Sequence, residues 1–68
     1  MSKKEERYQF ESLDAMDKAV RKAFGTRETD MAHYEKGLVV VFHPTNSLLF
    51  DKTIRKQLVD NGGMLISE

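Results

Sequence analysis

The chain has 68 residues, room for one small domain, with no cysteine and a formal charge of zero from 11 basic and 11 acidic side chains. No disulfide or cysteine-ligated metal can staple such a fold, and the charge balance removes both the basic excess of a duplex-DNA binder and the acidic excess of a nucleic-acid mimic. The longest apolar run is five residues, far below the roughly 18 that cross a bilayer as a helix.

Residues 1–6 read as a flexible charged N-terminal arm, and 7–68 as a single α+β domain. The opening lacks the apolar run of a signal peptide, and the missing cysteine fits a reducing compartment, so the expected location is cytoplasmic.

Arg7–Glu11 alternates polar and apolar residues, the mark of a half-buried strand with Tyr8 and Phe10 inward. Ser12 stands at an N-cap position. Leu13, Met16, Ala19, Val20, Ala23 and Phe24 then recur at helical spacing, and Gly25 supplies the stop. Asp14 and Asp17 sit early and Lys18, Arg21 and Lys22 late, as the helix dipole favours.

Met31–Glu35 and Leu38–Phe42 read as a hairpin around Lys36-Gly37. A two-residue turn pairs Glu35 with Leu38 and mixes His33 and Glu35 with Leu38, Val40 and Phe42. A three-residue turn with Gly37 left-handed pairs Tyr34 with Leu38. The second register gathers Ala32, Tyr34, Leu38, Val40 and Phe42 on one apolar face and is preferred, because a buried sheet selects for an apolar face. It leaves Met31, His33, Val39 and Val41 on the other side.

Pro44 ends the strand. Asn46 or Ser47 can cap a second helix to about Asn61, with Phe50, Ile54 and Leu58 along one side. In an alternative reading Ser47–Phe50 is a short strand and the helix begins at Asp51. Gly62-Gly63 closes the helix, and Met64–Ser67 is a last strand. The order is βαββαβ: a small ferredoxin-like sandwich, with a four-stranded antiparallel sheet and two helices on one face.

Lys36-Gly37-Leu38-Val39-Val40-Val41 has the basic-glycine opening that RNA recognition motifs place on their third strand. Leu38 and Val40 stand where those motifs carry stacking aromatics, so the strand reads as core. His33 and His43 are expected on one face but several residues out of register. No Cys, Asp or Glu lies at a spacing that completes a tetrahedral site, so no metal or other cofactor is expected. No nucleophile motif is present, and no catalytic residue is assigned.

The expected function is that of a small non-enzymatic interaction or regulatory protein, of the kind phage accessory proteins represent. It would dimerise or dock on a larger protein through Met31, His33, Val39, Val41 and Leu65 on the uncovered sheet face. The alternative is single-stranded nucleic-acid binding. Lys18, Arg21, Lys22, Lys52, Arg55 and Lys56 would form a basic stripe, and Thr45, Asn46 and Ser47 an anion site at the second helix start.

Overall fold

The computed structural model describes residues 5–45 and 47–67. Glu6–Gln9 (β1), Leu13–Phe24 (α1), Ala32–Glu35 (β2), Val39–Phe42 (β3), Leu48–Asp60 (α2) and Met64–Ser67 (β4) follow in the expected order. The four strands form one antiparallel sheet, β2-β3-β1-β4, with β1 and β3 central. This is the small ferredoxin-like α+β fold.

Local chemistry sets the first helix. The Ser12 hydroxyl accepts from the Ala15 amide at 3.1 Å, a cap worth about 1 kcal/mol. Gly25, at φ 81°, ends the helix by donating its amide to the Arg21 carbonyl at 2.8 Å. The second helix takes Ser47 as its N-cap and runs from Leu48, so Ser47–Phe50 is not a strand.

Both helices cover one sheet face. Tyr8, Phe10, Met16, Ala19, Val20, Ala32, Val40, Phe42, Ile54 and Leu58 make the core there. Ile54 and Leu58 face inward as expected, but Phe50 is exposed and Asp51 is buried in its place. Position 51 lies three and seven residues before Ile54 and Leu58, on their face. Asp51 tolerates burial because it is fully hydrogen-bonded: its carboxylate accepts from the Thr45 amide and hydroxyl at 2.7–3.0 Å.

The β2–β3 pairing differs from the expected one in position but not in face. Glu35 lies opposite Val39, and Tyr34 opposite Val40, not Leu38. Lys36, Gly37 and Leu38 form the turn, with Gly37 at φ 86° and Leu38 at φ 62°. Moving a register by two residues keeps every side chain on its own face. Ala32, Val40 and Phe42 therefore face the helices, as expected.

The N-terminal boundary also moves. Glu6 opens β1 and is buried, so the proposed arm does not extend to residue 6. Its carboxylate receives Arg55 through Nε and one terminal nitrogen at 2.7–3.0 Å, and the Tyr8 hydroxyl at 2.8 Å. That burial is stable because the charge is paired and hydrogen-bonded. Residues 1–4 lie outside the described part.

Candidate functional site

The uncovered sheet face was expected to be an open apolar patch around Val39 and Val41. Its alternation is right, but the patch is closed. Val39 is 6% and Val41 0% exposed within the single chain. Val41 lies between Arg7 on β1 and His33 on β2, and Val39 between Gln9 and Glu35. Arg7 then reaches Glu35 across β3, with Nε 3.0 Å from Oε1 and a terminal nitrogen 3.2 Å from Oε2. Gln9 adds a bond to the Gly37 carbonyl at 3.3 Å. A polar roof of long side chains thus shields the two valines, so they are not a free docking surface.

The Arg7 guanidinium holds the Glu35 carboxyl below the usual carboxylate range, chiefly by donating hydrogen bonds to it. Glu35 in turn raises Arg7 above the usual guanidinium value.

The same face brings the two histidines together. The register that places His33 opposite Val41 puts His43 on the adjacent diagonal. His33 Nδ1 and His43 Nε2 are 2.7 Å apart, with ring centroids at 4.8 Å. Glu5 Oε2 lies 3.5 Å from His43 Nδ1, and Glu35 Oε2 3.8 Å from His33 Nε2. The histidines share a face as expected, but their offset is two positions and not several, so the rings meet, and Glu5 and Glu35 stand beside them although no sequence spacing marked either as a ligand. Glu5, His33 and His43 each present one ligand atom within 4.8 Å of the other two. The signal was the β1 alternation: Glu5, Arg7 and Gln9 share one face of the strand and its N-terminal extension.

Leu65 does not belong to this face. It lies opposite Tyr8, which points into the helix-side core. Met31 sits just before β2, half-buried, its carbonyl accepting from the His43 amide at 2.8 Å.

The helix start expected to bind an anion already holds one. Thr45 donates its amide and hydroxyl to Asp51, and its hydroxyl oxygen accepts from the Ser47 amide at 3.1 Å. The Ser47 hydroxyl accepts from Phe50. An external phosphate would meet the Asp51 carboxylate. Asn46 lies outside the described residues.

Three of the six basic helix residues are committed to ion pairs. Arg21 pairs with Asp17 at 3.0 Å and Lys56 with Asp60 at 2.9 Å, while Arg55 is taken by Glu6. Exposed Lys18, Lys22 and Lys52 remain outside ion pairs among the described residues.

The exposed apolar surface lies elsewhere. Met64, Leu65 and Ile66 on β4 are 67%, 44% and 48% exposed. Leu48 and Leu49, in the first turn of α2, are largely exposed too. β4 is an edge strand, bonded to β1 on one side only. Among the described residues no helix is long and apolar enough to cross a membrane.

Comparison with known proteins finds no matching family model, no matching curated protein and no matching solved structure.

Proposed function

We propose that this chain is a non-enzymatic association module that forms a homodimer by pairing β4 with β4 of a second copy, joining two four-stranded sheets into one. The observation that carries the reading is the composition of the edge. Met64-Leu65-Ile66 has no charge and no proline, and all three side chains are exposed. Soluble proteins guard free edges with charges, because unpaired N–H and C=O groups recruit other strands. The opposite edge follows that rule: β2 carries His33 and Glu35, and Glu35 is tied to Arg7. An unguarded edge on a sheet whose other edge is guarded marks an interface.

A second copy is the fitting occupant. A strand paired antiparallel with itself satisfies two-fold symmetry, so one patch serves both partners. The zero net charge lets two copies meet without net repulsion. This reading moves the contact from the sheet face to the sheet edge, since Val39 and Val41 are roofed. A cytoplasmic setting accompanies the proposal, in keeping with the cysteine-free sequence.

Sedimentation equilibrium tests it. The unmodified chain is expected at twice its 7.9 kDa mass at high micromolar concentration. The Met64→Lys/Ile66→Lys double variant is expected at the single-chain mass with unchanged circular dichroism. A monomeric parent, or a dimer untouched by both substitutions, overturns the reading.

A further inference from the structure

We propose that Glu5, His33 and His43 form a binding site for one borderline transition-metal dication, with zinc the reference ion. The site lies on the roofed sheet face and does not depend on the β4 pairing.

Three side chains of the right type converge there, from the chain just before β1, from β2 and from the chain just after β3. Two imidazoles and one carboxylate make a donor set that suits zinc, copper or nickel over magnesium or calcium, which prefer oxygen. The two Glu5 oxygens are divided: Oε1 faces Arg7 at 3.3 Å, while Oε2 turns to His43 at 3.5 Å. One carboxylate oxygen is therefore turned away from Arg7 and lies beside His43, within 4.8 Å of a ligand atom of each histidine.

The charges around the cluster favour a dication. Glu5 and Glu35 supply two negative charges on this face against one positive charge from Arg7. Glu35 also has a place outside the ligand set. With His33 ligating through Nδ1, its other ring nitrogen Nε2 lies 3.8 Å from Glu35 Oε2, a separation that a small shift closes to a hydrogen bond. A carboxylate behind a ligating imidazole fixes its tautomer and orientation.

Two adjustments are needed: Glu5 Oε2, now beside His43 Nδ1, must swing toward the Nε2 side of that ring, and the two rings must part. His33 Nδ1 and His43 Nε2 stand 2.7 Å apart, whereas tetrahedral zinc with bonds of about 2.0–2.1 Å holds its nitrogens roughly 3.3 Å apart. The rings must open by about half an ångström on zinc binding. Both side chains sit at the surface, 48% and 35% exposed, and have room to do so. Three protein ligands leave a fourth position for water.

Isothermal titration calorimetry of the full, tag-free chain with zinc chloride tests the site. One zinc per chain is expected, with affinity falling by about tenfold or more in His33→Ala and in His43→Ala, and less in Glu5→Gln. Nitrogen-15 spectra of the imidazoles serve as a second readout and should show both rings shifting with the same stoichiometry. No saturable binding at micromolar zinc overturns the proposal. So does binding that His33→Ala and His43→Ala leave unchanged while circular dichroism shows them folded.

Discussion

Arg7 and Glu35 are joined across a strand that neither belongs to. Arg7 leaves β1, Glu35 leaves β2, and their 3.0 Å contact passes over Val39 and Val41 of the strand between. Because Arg7 lowers the pKa of Glu35, the linkage has a definite sign. A depressed folded-state value stabilises the fold above the unfolded carboxyl value of about 4.3, and the gain disappears as pH falls through the folded value. The melting temperature of Glu35→Gln should lie below that of the parent at pH 6, and the gap should close between about pH 5 and pH 3. A gap independent of pH would show that the pair is not what Glu35 contributes.

The Glu6–Arg55 pair should be more sensitive to losing one partner than to losing both. Arg55→Met leaves a buried carboxylate with the Tyr8 hydroxyl as its remaining side-chain partner within β1. The expected loss is about 2 kcal/mol in urea unfolding, below the fully buried case because the Arg55 side chain is 38% exposed. Glu6→Leu/Arg55→Met should recover much of it, since no charge is then stranded. A single variant as stable as the parent contradicts this.

Asp51 closes the loop that leads into α2. Asp51→Ala removes the acceptor for the Thr45 amide and hydroxyl together. A loss of about 2–3 kcal/mol is expected, and less for Asp51→Asn, which keeps one carbonyl acceptor. Equal stability of the parent and Asp51→Ala would mean that water replaces the carboxylate at no cost.

Gly63 is required for close packing. A Cβ there would lie 2.7 Å from the Leu58 carbonyl oxygen and 2.8 Å from Phe10 Cζ. The carbonyl belongs to α2 and already accepts the Gly63 amide at 2.8 Å. Gly63→Ala should destabilise by about 1–3 kcal/mol through this crowding. Gly62→Ala meets no such neighbour, so its cost comes from the strain of φ 102° alone. Thermal melts of the two variants separate the two causes.

Much of the fold was legible because its signals are local. Ser12 and Gly25 bracket α1, and the alternation of Tyr8 and Phe10 identifies the inward face of β1. The site was less legible because it depends on a register. Placing Tyr34 opposite Leu38 and not Val40 keeps the faces but separates His33 from His43 by two further positions, and the cluster vanishes. The burial of Val39 and Val41 escaped for a different reason. Alternation says which way a side chain points, but not that Arg7 is long enough to reach over a neighbouring strand to Glu35. Asp51 carried no local signal of its burial. Its bond to Thr45, six positions earlier, depends on how the loop folds back.

The most direct test of the account is an isotope-filtered nuclear Overhauser experiment on a dimer mixed from labelled and unlabelled chains. Contacts between chains are expected among the backbone protons of β4, Met64–Ser67, in the antiparallel pattern of a strand facing its own copy. A dimer whose interchain contacts fall on other elements, or a sample with none, would contradict it.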